Sequence, residues 1–216
     1  MAVALVLAAA GAAFAQTSSA RFFAICHDQD YALCAVAKCF VLDGVSYCKC
    51  DLEHGDSISL PFEFGHGQNV CSVDARGAAN GYVVSTFSLP QSVVAPDGNK
   101  ALYDCPASSA DGAYAQCDGG VCFTGSEGQS FPGLGPLKNG EIICSCPITV
   151  ANPPAPVGYQ IAGPYPCQSS FFRYCDATAA NTNTGSTIYV GAPDGTARFL
   201  TRRLYGSVPP LNECRP

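Results

Sequence analysis

Cys34-Ala35-Val36-Ala37-Lys38-Cys39-Phe40-Val41-Leu42-Asp43-Gly44-Val45-Ser46-Tyr47-Cys48-Lys49-Cys50 decides the fold, because the chain carries its cysteine pattern twice. Cys34 is followed after four residues by Cys39-Phe40, then by Cys48-Lys49-Cys50, and after twenty more residues by Cys71. The second copy runs Cys117, four residues, Cys122-Phe123, then Cys144-Ser145-Cys146, then twenty residues to Cys167. A turn tetrapeptide recurs in the same order, Ala95-Pro96-Asp97-Gly98 and Ala192-Pro193-Asp194-Gly195. Repeated spacings in one order are the signature of an internal duplication.

Within the first copy, Lys38–Leu42 and Val45–Cys50 read as two strands joined by Asp43-Gly44, a pair suited to a type I′ turn because both positions need positive φ. Side chains alternate along a strand, so Cys48 and Cys50 share a face and are expected to hold different partners. The second copy predicts the same hairpin from Val121–Thr124 and Glu141–Cys146, with the Gly/Pro-rich loop Gly125–Gly140 in place of the tight turn. Tyr82–Leu89 reads as a further strand stopped by Pro90. Asp51–Val70 reads as an irregular loop.

These signals predict a mainly β, disulfide-rich protein of two tandem, homologous, hairpin-based modules, covering residues 16–98 and 99–195, with a clamped tail over 196–216. Residues 1–15 carry an unbroken apolar run ending in Ala13-Phe14-Ala15, which fits a removable secretion signal. Export together with fourteen cysteines points to disulfides ahead of metal, in an extracellular or, for a bacterium, periplasmic setting. The expected arithmetic is three bridges in each module, among Cys26, Cys34, Cys39, Cys48, Cys50 and Cys71 and among Cys105, Cys117, Cys122, Cys144, Cys146 and Cys167. Cys175 and Cys214 are left to clamp the tail. Each bridge adds ~2–4 kcal/mol by restricting the unfolded chain. That suits a sequence with no Trp, 22 Gly and 16 Pro, which builds a modest core. In the tail, Thr196–Gly206 is either a short helix capped by Thr196 and Gly206 or a strand after the Pro-Asp-Gly turn.

A net charge of −6 argues against nucleic acid and anionic membrane surfaces as partners. No segment has the ~20 apolar residues of a membrane span. No cofactor motif is present, and no catalytic motif such as G-x-S-x-G rises above background. The two copies differ most after the C-x-C, where the first is acidic and carries His and the second is apolar and Pro-rich. His54, His66, Asp56 and Glu53 are therefore the candidate metal ligands, although their spacing matches no standard signature. His27-Asp28-Gln29-Asp30 offers two carboxylates for calcium but lacks the rest of a known loop. Ser57 stands near His54 and Asp56 in sequence, the nearest approach to a hydrolytic arrangement. Tyr159, Tyr165 and Phe171-Phe172-Arg173-Tyr174 are candidates for a binding surface or for core. The expected role is non-catalytic: binding an extracellular protein or glycan, or forming a structure that includes self-assembly. The alternatives are a metal-dependent or hydrolytic enzyme centred on His54 and His66, and a protease inhibitor using Gly125–Gly140.

Overall fold

The computed structural model describes residues 23–60, 62, 68–106, 113–123, 125–150, 157–175 and 183–216. The expected secretion signal and His66 lie outside them. The chain is mainly β. In order it forms β1 (Ala24–Leu33), β2 (Lys38–Leu42), β3 (Val45–Ser59), helix α1 (Val70–Ala78), β4 (Tyr82–Ser88), a 3₁₀ turn (Pro90–Val93), β5 (Lys100–Pro106), β6 (Ala113–Ala115) and β7 (Val121–Phe123). There follow β8 (Ser130–Phe131), β9 (Gly135–Pro136), β10 (Glu141–Val150), β11 (Val157–Pro164), a 3₁₀ turn (Ser169–Phe172), β12 (Thr187–Tyr189), β13 (Ala192–Pro193), helix α2 (Thr196–Tyr205) and β14 (Glu213–Cys214).

The strand–turn–strand reading of Lys38–Cys50 corresponds to β2 and β3, with Asp43 at φ 50° and Gly44 at φ 80° in the turn. β3 does not stop there. It runs for fifteen residues, so the first half of the expected loop Asp51–Val70 is strand. Its later residues are polar and include Gly55, and they are held extended by pairing with β1, from Leu33 opposite Asp51 to Ala24 opposite Ser59. Tertiary pairing has overridden a weak local preference. The end of the same stretch starts α1, where Asn69 accepts a hydrogen bond from Ser72 N–H and the Ser72 hydroxyl accepts one from Asn69 N–H.

The large sheet has the order β12-β2-β3-β1-β4-β7-β10-β6, and β10 also pairs with β3. That pairing closes β3-β1-β4-β7-β10 into a ring. Both halves of the chain contribute to it. Its register sets Cys39 opposite Cys48, Cys48 opposite Cys144, and Cys144 opposite Cys122, a row of four cysteines across four strands. The bridges Cys39–Cys48 and Cys122–Cys144 lie along this row, and Cys34–Cys50 and Cys117–Cys146 flank it. As expected from the alternation, Cys48 and Cys50 share a face and hold different partners. These half-cystines, with Val41, Val83, Ile142 and Ile188, are the buried centre of the sheet. Sulfur fills the volume that larger side chains occupy in other cores.

A second sheet, β13-β11-β5-β14, encloses a separate core of Tyr103, Tyr114, Tyr159, Ile161 and Phe171. Tyr103 stacks on Phe171 over Gly163, where an added Cβ would stand 2.5 Å from the Phe171 ring. Gly125–Gly140 folds back as the small β8–β9 hairpin, and its Leu134 and Leu137 are buried with Ile143.

The tail corrects the expected cysteine arithmetic. Cys175 pairs with Cys105, and Cys214 pairs with Cys167, so there is no Cys175–Cys214 clamp. β14 lies parallel to β5 with Cys214 beside Tyr103. The Tyr103 hydroxyl donates to Pro164 O and accepts from Gln168 N–H, which holds the segment around Cys167 against that edge. Cys175 is instead buried with Cys105, and its carbonyl accepts from the Tyr159 hydroxyl. The remaining bridge is Cys26–Cys71, and among the described residues no cysteine is free. Thr196–Tyr205 is helix, ended by Gly206 in the left-handed region. Gly195 rather than Thr196 is the N-cap, since the Thr196 hydroxyl donates to Pro193 O.

Candidate functional site

Pairing of β1 with β3 brings His27, Asp28, Asp30, His54 and Asp56 together in one exposed cluster. A β-bulge between Cys26 and Gln29 holds Asp28 at φ 51°. His54 on β3 contacts Asp30 at 2.7 Å through Nδ1 and Asp28 at 3.0 Å through Nε2. His27 Nδ1 lies 3.1 Å from Asp56 Oδ2, and Asp28 N–H donates to Asp56 Oδ1. Hydrogen bonds to Asp30 and then Asp28 raise the His54 pKa, the behaviour of an imidazolium donating at both nitrogens. Hydrogen bonds from His27 and Asp28 N–H lower that of Asp56.

This arrangement is built for ion pairing. A metal needs a free ring nitrogen and donors converging on one point. Both His54 nitrogens face carboxylates on opposite sides, and Glu53 is exposed on β3 and pairs in register with Tyr31. Among the described residues, the sets of three donor atoms within 4.8 Å are Cys34, Cys50 and Cys144, and Cys48, Cys117 and Cys146. All six are in disulfides, and only a thiolate is a metal ligand. Ser57 is fully buried on β3, so its hydroxyl is not presented beside the exposed His54. Of the aromatic candidates, Tyr159 and Phe171 are core, while Tyr165 remains exposed.

A second candidate is a cleft lined by both halves of the chain. A partly open cleft of about 100 Å³ lies between the two sheets, with α2 across it. Its walls come from Leu33–Val36 after β1, Ser85–Ser88 on β4, Lys100 and Leu102 on β5, and Leu200 on α2, and they are mostly apolar. Val36, a β-branched residue, is held there at φ 61°, a conformation such residues rarely adopt. Asp118 also lines the cleft. Its turn is fixed by Gly120 N–H to Cys117 O, by Gly119 N–H to Ser85 O, by Ser85 N–H to Gly120 O, and by the Cys117–Cys146 bridge.

Asp118 Oδ2 accepts from Leu60 N–H at 2.8 Å, whereas Oδ1 is buried with no partner. The Thr86 hydroxyl, on the same wall, is likewise buried and unpartnered. Burial pushes the Asp118 carboxyl up to about 7, against hydrogen bonds from Leu60 and Ser59 that favour the anion. Burial also pushes Lys100 below its ordinary value, opposed by Asp51 and Glu53. Buried polar atoms are nearly always hydrogen-bonded, so these two orphaned oxygens, on residues that line one apolar cleft, stand out as exceptions.

None of Asp118, Thr86 and Lys100 stands out in the sequence. Asp118-Gly119-Gly120 reads as an ordinary turn, and Thr86 as one residue of a strand. Their meeting depends on the two sheets packing together. No protein-family profile matches the chain, and no curated protein or solved structure is similar to it.

Proposed function

We propose that the chain is an exported, non-catalytic binding protein, built by duplicating one disulfide-stapled β module, that holds a small, mostly apolar ligand between its sheets. The cleft carries this reading: apolar walls with two unpartnered buried oxygens, Asp118 Oδ1 and Thr86 Oγ1. Seven bridges and no free thiol among the described residues support an oxidising, extracellular compartment. Among the same residues, no helix is long and apolar enough to cross a membrane.

The duplication is supported by the strand register. Cys48 faces Cys144, while Cys50 faces Ile142 and Ser46 faces Cys146. Exchanging the two C-x-C units maps these pairs onto one another. It also maps Cys39–Cys48 onto Cys122–Cys144 and Cys34–Cys50 onto Cys117–Cys146. The repeat breaks at the third bridge: spacing makes Cys167 the counterpart of Cys71, yet Cys26 pairs with Cys71 while Cys105 pairs with Cys175 and Cys167 with Cys214. The modules over 16–98 and 99–195 share one ring of strands, and the tail over 196–216 closes the cleft with α2.

The test is a nuclear magnetic resonance titration of the oxidised, isotope-labelled chain with pentanol. The expected result is saturable shifts of amides in Leu33–Val36, Ser85–Ser88 and around Leu200. Absence of shifts there, or shifts confined to the outer face of β1 and β3, would remove the proposal.

A further inference from the structure

We infer that the ligand of this cleft is a small hydrophobic acid bearing a hydroxyl group, its carboxylate taken by Lys100 and its hydroxyl by Thr86 and Asp118. The inference rests on the cleft being a ligand site and adds the chemistry of the ligand.

Size comes first. The cleft measures about 100 Å³, and a dry cavity of about 150 Å³ is enough for a benzene ring. The cleft is smaller than that, so the apolar body is a short alkyl chain, set against Leu33, Val93, Leu102 and Leu200.

Charge comes second. Among the described lining residues Lys100 is the one cation and Asp118 the one carboxyl. Among the described residues no carboxylate lies within ion-pair distance of the Lys100 ammonium. Asp118 is held largely protonated at mildly acidic pH by the desolvation that raises it to about 7. Of the described lining side chains Lys100 then carries the charge, while Asp51 and Glu53 of β3 act on it from outside the lining, and within the cleft this favours an anion over an amine. A carboxylate reaching Lys100 also restores the solvation that burial has removed from the ammonium.

Hydrogen bonding comes third. Thr86 Oγ1 can donate and accept, and Asp118 Oδ1 lacks its partner. One ligand hydroxyl, which also donates and accepts, suits both orphaned atoms. A purely hydrocarbon ligand would leave them buried and unpaired.

The experiment compares five-carbon probes that differ only in their polar groups, titrated at pH 6 into the oxidised full chain and followed by amide shifts. Pentanoate is expected to bind at least tenfold more tightly than pentylammonium, with pentanol between them. Lys100→Met should abolish that order while leaving the melting temperature unchanged. 5-Hydroxypentanoate should bind several-fold more tightly than pentanoate, and Thr86→Val should erase the gain. Equal binding of all the probes overturns the acid assignment and leaves the cleft as a ligand site. Tightest binding of pentylammonium overturns it in favour of Asp118 as the anchor. No cleft shifts with any probe overturns both the assignment and the binding role itself.

Discussion

The β1–β3 face and the intersheet cleft use similar side chains in opposite ways. On the face, His27, His54, Asp28, Asp30 and Asp56 stand in water, and both of these histidines face a carboxylate. In the cleft, Asp118 and Thr86 are out of water and each keeps an oxygen without a partner. The difference teaches where to look for function. A charged cluster is conspicuous in sequence, yet its members satisfy one another and water screens what is left. A lone polar atom in an apolar wall is inconspicuous in sequence but has nothing to satisfy it.

The sharpest way to separate the two regions is the pH dependence of stability. The Asp118 carboxyl has its pKa raised in the folded chain, so the native state holds a proton that the unfolded state releases. Its contribution is fully present below the ordinary Asp pKa of 3.8 and is lost as pH rises through about 7. A shift of that size corresponds to roughly 4 kcal/mol across the interval. Asp74, buried in α1 and raised to about 6, acts in the same direction over a lower range. Urea denaturation at several pH values should show stability falling from pH 4.5 to 8, and Asp118→Asn should flatten the upper part of that fall. A slope unchanged by Asp118→Asn would mean that the cleft carboxyl is solvated, and the contrast with the exposed face would collapse.

A smaller effect tests the orphaned hydroxyls. Thr86→Val keeps the shape of the side chain and removes a buried group that has no partner. It should leave stability unchanged or raise it by ~1 kcal/mol. Ser57→Ala, which removes another buried and unpartnered hydroxyl away from the cleft, provides the comparison. Neither variant should lower the denaturation midpoint, but only Thr86→Val should change binding of a hydroxylated probe. A large loss of stability in Thr86→Val would place a hidden hydrogen bond at that hydroxyl.

Legibility in the sequence followed the range of the interactions. The β2–β3 hairpin rests on the local pattern of Lys38–Leu42 and Val45–Cys50 and an Asp-Gly turn, all visible in Lys38–Cys50. The strand 51–59 was not visible, because its partner β1 lies well back in the chain, from Leu33 opposite Asp51 to Ala24 opposite Ser59, and most of its own residues are polar. The pairing of Cys175 was hidden by an equal spacing. Twenty residues separate each C-x-C from Cys71 and from Cys167, yet Cys167 turns to the tail and Cys105 takes Cys175. Spacing along the chain counts residues and not the path they follow. His54 and Asp56 are singled out in the sequence as candidate metal ligands, but the residues they contact, Asp28, Asp30 and His27, come from β1 across a sheet pairing. Asp118 was not singled out, since a carboxyl followed by two glycines in a turn carries no sign of burial.

The smallest expected effect belongs to the exposed face. The raised pKa of His54 means that its ion pairs contribute below about pH 6.5 and fade as pH rises through its folded value. Asp56, shifted downward, contributes at neutral pH and fades as the solution becomes strongly acidic. Both groups are exposed, and at ~0.15 M salt the screening length is about 8 Å. His54→Ala should therefore leave the denaturation midpoint within error at pH 7.5, with a slight loss at pH 5.5 that added salt removes. Probe binding in the cleft should be the same as in the unaltered chain at both pH values. A loss of binding in His54→Ala would instead join the two regions into one site, because an exposed residue paired only with carboxylates has no other route to affect a ligand held between the sheets.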